Sequence, residues 1–171
     1  LLAREPALTV VAVERDPQMA ALARDNAALN GAAGAVEVVE ADVAALPADW
    51  RDGGFDQVVS NPPYLPPERA DPSPHAGRAA AGVEAGSDMA VHRADRLADL
   101  LAPLERGFGE VVVFPLWPKP GRDAKRVIVT ARKGLRAPLR LAPGLVLHDE
   151  AGGYTKTADA ALRGAGLDLG A

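Results

Sequence analysis

The chain has 171 residues, 48% of them hydrophobic and 25% charged, with a net charge of -4. This is the profile of one globular domain, residues 1–171, with enough material to bury a core. No apolar run reaches the roughly 18 residues of a membrane span, and no basic-then-apolar leader opens the chain, so the expected compartment is the cytoplasm. The absence of cysteine removes disulfides and thiolate metal sites.

In chain order, residues 8–14 form an apolar, β-rich run that ends in Glu14. Asp16-Pro17 follows, a favourable N-cap and first helical position. The next stretch, through Ala20, Leu22, Ala23, Ala27 and Leu29, predicts a helix that Asn30-Gly31 stops. Residues 36–42 predict a second strand, ending in Asp42, and residues 55–60 a third. Residues 65–90, rich in Pro, Ala and Gly, read as a loop or lid, and residues 93–104 as a helix. Residues 110–114 and 126–131 predict two strands joined by a long turn containing Pro115, Pro118, Pro120 and Gly121, an antiparallel hairpin at a sheet edge. Two short extended pieces are expected at 139–141 and 145–147. This β-α-β-β progression predicts an open parallel α/β sheet, in which ligands bind outside the carboxyl ends of the strands.

The third strand runs straight into Asn61-Pro62-Pro63-Tyr64. The prolines fix φ and offer no N–H, and each pushes the residue before it into an extended conformation. The Asn61 amide oxygen and the Pro62 carbonyl are thereby suited to accept both hydrogens of a planar amino group. The Tyr64 ring offers a face for the base or amide that carries it. The alternative is a Pro-rich turn whose Asn caps its own backbone; the position after a strand favours the chemical reading. Glu14 suits a ribose diol, because a carboxylate is an acceptor with two oxygens. Asp42, with the Val43 N–H beside it, suits an adenine edge. Each acid alone reads more readily as a cap of the following helix; the pair, ahead of the Asn61 motif, points to a nucleoside cofactor.

Charge is unevenly spread. Between Lys119 and Arg140 lie eight basic residues (Lys119, Arg122, Lys125, Arg126, Arg132, Lys133, Arg136 and Arg140) and one acid, against a net -11 elsewhere. A basic stripe on an acidic body is an electrostatic footprint for RNA phosphates. The alternative is a solvated strand pair. His75, His92 and His148 lack ligand spacing, so no metal is expected. Ser60, His148 and Asp149 make no triad, since no G-x-S-x-G turn surrounds the serine. Trp50 and Trp117 are expected to pack rather than stack on bases.

Residues 13–17, Glu40-Ala41-Asp42 and Asn61-Pro62-Pro63-Tyr64 resemble the class I S-adenosylmethionine-dependent methyltransferases that modify amino nitrogens. In the C-terminal half, Leu116-Trp117-Pro118, residues 126–129, Arg132-Lys133-Gly134 and residues 145–148 through Gly153-Tyr154-Thr155 resemble the bacterial valine-tRNA adenine N6-methyltransferases. The resemblance implies a Rossmann-like sheet with a C-terminal antiparallel hairpin and S-adenosylmethionine as cofactor. It implies methylation of the adenine beside the anticodon by a monomeric, tRNA-binding enzyme. By position, Glu14, Asp42, Val43 and Asn61 would touch the cofactor, and Asn61, Pro62 and Tyr64 would hold the target. It also places a first strand and a glycine-rich loop before Leu1. A helix, a Pro-Gly-Gly turn and a central strand are expected before the helix near His92. The step from Gly86 to Met89 leaves no room for these, so a gap near 86–89 and a missing central strand are expected. Two other readings stand beside this one: a protein glutamine N5-methyltransferase, and a cofactor-free RNA-binding remnant.

Overall fold

The computed structural model describes residues 2–46, 50, 55–60 and 87–169. Its chain divides into two compact units, Leu1–Ala48 and Asp49–Ala171, and each is described by itself.

In the first unit, strand β1 (Val10–Glu14) pairs in parallel with β2 (Val36–Glu40), in register from Val10 opposite Val36 to Glu14 opposite Glu40. Helix α1 (Pro17–Leu29) crosses between them. It starts where the sequence places it: the Asp16 carboxylate accepts from the backbone N–H of Gln18 (2.8 Å) and Met19 (3.1 Å). Pro17 stands at the first turn, where no N–H is needed. The helix ends at Asn30, and Gly31 takes the left-handed conformation (φ 67°) that terminates it without steric cost. Ala20 is fully buried, and Arg24 reaches the Val38 carbonyl at 3.1 Å. A single 3-10 turn, Val43–Ala45, follows β2.

The second unit is built on a six-stranded sheet. Its path runs β3 (Gln57–Ser60), β4 (Ser87–Arg93), β6 (Arg126–Lys133), β5 (Phe108–Trp117) and β7 (Arg140–Leu141), and β8 (Leu145–Val146) also pairs with β5. β3 and β4 are parallel, β6 is antiparallel to both its neighbours, and β7 and β8 run parallel to β5. A 3-10 turn, Ala94–Arg96, leads from β4 into α2 (Leu97–Leu104), and α3 (Lys156–Leu162) follows β8.

Several expectations change here, among them the turn: Pro115, expected in it, lies within β5. The central strand thought to be missing is present: Ser87–Arg93 sits between β3 and β6 and is paired along both edges. Its apolar content is thin, and the pairing of seven residues with β6 supplies what local propensity does not. The predicted helix of 93–104 therefore begins only at Leu97. The hairpin of β5 and β6 is antiparallel as predicted, but it is not at an edge through β6, which lies in the sheet interior.

β5 is buried on both faces, as its unbroken apolar run suggests. Val111 and Val113 pack with Val127, Val129, Ala131 and Leu104 on one side. Leu97, Leu100, Leu101 and Leu104 recur at helical spacing and lay one stripe of α2 on that face. Val112 and Phe114 pack with Ala142 on the other face, against Leu116, Ile128 and Leu145.

Candidate active-site edges

Parallel strands that end together bring their C-terminal residues to one edge. In the first unit that edge carries Glu14, Glu40 and Asp42. The Glu14 carbonyl accepts from the Ala41 N–H at 3.0 Å, which holds the two strand ends side by side. Glu14 also accepts from the Asp16 N–H with Oε1, at 2.8 Å. One carboxylate oxygen thus fixes the turn into α1. Asp42 is half-buried and its carbonyl accepts from the Ala45 N–H (2.8 Å), which closes the 3-10 turn that begins at Val43. Glu14 therefore caps the turn into α1 with its side chain, whereas Asp42 contributes its backbone carbonyl to the turn that follows β2.

In the second unit the C-terminal ends of β3 and β4 define the corresponding edge. Asn61, Pro62 and Tyr64, predicted to hold the target group, follow β3 directly in the chain but lie outside the described residues, as do His75 and most of the predicted lid. Beside this edge stand the start of β6 and the end of β5. Arg93 is opposite Arg126, and Leu116 is opposite Arg126 on the other side. The Ala94 N–H donates to the Lys125 carbonyl at 3.1 Å. Arg93 and Asp95 form a two-pronged ion pair, with Arg93 Nε to Asp95 Oδ1 at 2.8 Å. The hydrogen bond from Arg93 holds the Asp95 carboxyl below the usual carboxylate range, and Asp95 in turn raises the Arg93 guanidinium.

The basic stripe does not form one surface. Lys119, Arg122, Lys125 and Arg126 gather around the turn between β5 and β6, at the C-terminal edge of β4. Arg132 and Lys133 lie at the far end of β6, roughly 23 Å away along the strand. Arg136 and Arg140 follow them in the chain. At that far end Arg132 pairs with Glu110 at 3.4 Å. Glu110 has a left-handed backbone (φ 49°) at the bulge between Gly109 and Val112. A shallow cavity of about 350 Å³ opens there, lined by residues 110–112 and 137–140.

The stretch from Leu145 to Thr155, which carries part of the resemblance, holds a ring pairing that the sequence reading did not foresee. His148 and Tyr154 form an isolated antiparallel bridge, and their rings stack with centroids 4.7 Å apart. A Gly-Gly pair just before an aromatic is the signal that points to such a tight loop. The two tryptophans pack, as predicted. Trp50 meets Phe55 edge to face at 5.5 Å. The Trp117 indole donates to the Pro143 carbonyl at 3.1 Å. Among the described residues no cluster of three metal-ligating side chains occurs, and no helix is long and apolar enough to cross a membrane.

The family profile for the RMKL-like methyltransferase domain matches residues 2–72. A crystal structure from Agrobacterium tumefaciens, described as a predicted O-methyltransferase, superposes with a TM-score of 0.76 and 31% identity, covering 92% of this chain and 78% of that one. The modification subunit of a proposed type I restriction enzyme from Vibrio vulnificus shares the fold, with a TM-score of 0.51 and 12% identity over 90% of this chain and 40% of its own. Comparison with curated proteins gives no significant match. The Agrobacterium relative meets this chain over nearly its full length and the family profile covers the acid-bearing strands: the chain belongs to the methyltransferase family, with the Rossmann-like architecture of class I.

Proposed function

We propose that the protein transfers a methyl group from S-adenosylmethionine to the exocyclic N6 of an adenine in tRNA, with the anticodon-loop adenine of valine tRNA as the leading target. The observation that carries this reading is Asn61-Pro62-Pro63-Tyr64, placed in the chain directly after the C-terminal end of β3. The Agrobacterium relative is named for transfer to oxygen. A hydroxyl has one hydrogen to give, whereas the sequence Asn61-Pro62 would supply two acceptors, the Asn61 amide oxygen and the Pro62 carbonyl. Two acceptors match an amino group. The four basic residues around the turn of β5 and β6 favour RNA over a protein glutamine, whose partner surface need not be basic.

The cofactor supplies an electrophilic methyl group on a sulfonium. Glu14 Oε2 is suited to the ribose hydroxyls, and Asp42 with the Val43 N–H to the adenine. Asn61 and Pro62 would each accept one N–H of the target amine. That draws the nitrogen lone pair out of conjugation with the ring and aims it. Tyr64 would hold the base by stacking. No nucleophilic side chain is required, so catalysis is chiefly positioning.

The test is incubation of the protein with isotopically labelled S-adenosylmethionine and total tRNA, followed by mass spectrometry of the nucleosides. N6-methyladenosine that disappears in Asn61→Ala supports the reading. Label in ribose 2′-O-methyl groups, or in a glutamine-bearing peptide and not in tRNA, overturns it. Failure of calorimetry to detect S-adenosylmethionine or its demethylated product would leave the RNA-binding remnant as the better description.

A further inference from the structure

The stacked pair of His148 and Tyr154 is not used by the chemistry above, and its setting is unusual. After β8, residues 147 and 148 continue alongside the end of β5: the Leu147 N–H donates to the Trp117 carbonyl (2.7 Å) and the His148 N–H to the Pro118 carbonyl (3.1 Å). The chain then turns back at once. The Asp149 N–H donates to the Gly153 carbonyl (2.9 Å), the Gly152 N–H to the Asp149 carbonyl (3.1 Å), and the Asp149 carboxylate accepts from the Gly153 N–H (2.9 Å). The returning strand is locked by Thr155, whose N–H meets the Leu147 carbonyl and whose hydroxyl donates to the Val146 carbonyl at 2.7 Å. Tyr154 is thus held on a rigid backbone with His148 against one face of its ring.

Tyr154 is nevertheless 54% exposed as a residue. With one face covered by the imidazole, that exposure belongs to the other face and the phenol edge. An aromatic face fixed by packing and left open to solvent is well suited to a stacked base. Its neighbours carry the complementary charge. Lys119 follows Pro118 and donates to the Glu150 carbonyl at 3.3 Å, which ties the basic turn to this loop. Arg122 and Lys125 belong to the same turn, through the Arg122 N–H to the Lys119 carbonyl (3.3 Å) and the Lys125 N–H to the Leu116 carbonyl (3.3 Å). The nearby acids do not cancel this: the Asp149 carboxylate is engaged inside its own turn, and Asp123 and Glu150 are outnumbered by Lys119, Arg122, Lys125 and Arg126.

We infer that Tyr154, backed by His148, is a stacking platform for an unpaired base of RNA, with Lys119, Arg122 and Lys125 on the adjoining phosphates. The inference rests on the RNA reading of the site and names where the RNA outside the target base is held. It assigns RNA to the turn end of the hairpin and not to the Arg132 and Lys133 end.

The experiment measures binding of a fluorescein-labelled RNA hairpin with a single-stranded loop, by anisotropy over a range of salt, with cofactor affinity measured in parallel. Tyr154→Ala should weaken RNA binding about 5- to 100-fold, and Tyr154→Trp should restore it. Lys119→Glu should lower the salt slope by about one unit. Arg106→Glu, on the opposite end of β5, should leave both unchanged. Crosslinking of a photoreactive base in the loop to the peptide containing Tyr154 checks the contact without a substitution, so a variant that unfolds does not decide the matter. Wild-type binding that is equal in Tyr154→Ala, with no crosslink to Tyr154, overturns the platform and spares the RNA reading. Binding lost only in Arg132→Glu with Lys133→Glu also overturns it, by moving the RNA to the far end. A wild-type protein that binds no RNA at low salt, yet methylates a glutamine peptide, overturns both.

Discussion

Gly144→Ala tests how closely β8 is pressed against β5. Gly144 has φ 80°, and a Cβ built on it runs into the Pro115 carbonyl oxygen and falls 2.7 Å from the Trp117 indole nitrogen. The first of these is backbone in a strand buried on both faces and cannot swing aside. Two costs add. An L-residue in the left-handed region costs about 1–2 kcal/mol. Forcing a methyl group into a packed contact costs about 1–3 kcal/mol more. The sum, about 3 kcal/mol, corresponds to a fall in Tm of roughly 6–12 °C for a chain of this size. Gly121→Ala is the matched control. Gly121 has φ 66° and nothing within 4 Å of its built Cβ, so only the conformational cost applies. Urea unfolding of the two variants should therefore separate them by at least about 1 kcal/mol. Equal losses would show that β8 yields freely, and the close approach at Pro115 would carry no energy. The same displacement should loosen the Trp117 bond to Pro143 and, one turn further on, the loop that holds Tyr154.

Glu14→Ala should weaken S-adenosylmethionine binding by about 1–3 kcal/mol in calorimetry, the cost of leaving donors unpaired, and should also remove the acceptor for the Asp16 N–H. Asn61→Ala should abolish single-turnover methyl transfer while cofactor affinity stays near wild type. Leu104→Ala, in the seam between α2 and the sheet, should cost about 2–4 kcal/mol in denaturant unfolding. Asp95, held low by Arg93, contributes its stability above its unfolded-state pKa and loses it as pH falls through the folded value; the pair is exposed, so the loss is small. Arg93→Gln should raise the Asp95 carboxyl toward the ordinary range in an NMR titration, and an unmoved Asp95 would show that Arg93 is not its chief partner.

Local chemistry was legible where it was self-contained. Asp16-Pro17 and Asn30-Gly31 bracket α1 because caps act through their own side chains and φ angles. The acid-ended strands β1 and β2 and the β5 and β6 hairpin were legible because apolar runs and turn residues alternate plainly. Ser87–Arg93 was not, since only one clear β-former, Val91, stands in it and its strand character comes from partners far away in sequence. Glu14 was read as a ligand group or a cap, and its Oε1 takes the capping role by accepting from the Asp16 N–H.

The basic stripe shows why a run of charge in sequence is a poor guide to a surface. Residues from 119 to 140 are neighbours in the chain, but β6 is a rod, and the residues at its two ends are separated by its length. Antiparallel pairing with β4 then gives the two ends different meanings. Arg126 stands opposite Arg93, at the end where parallel strands of this fold present ligands, while Arg132 stands opposite Ser87, at the end where they do not. The far group has its own local partner in Glu110 and its own strained bulge. The near group has the open ring of Tyr154 beside it, a residue that carries no charge and that no count of lysines and arginines would have found. Position along the strand, and not density of charge, therefore decides which half of the stripe lies at the C-terminal edge of β4.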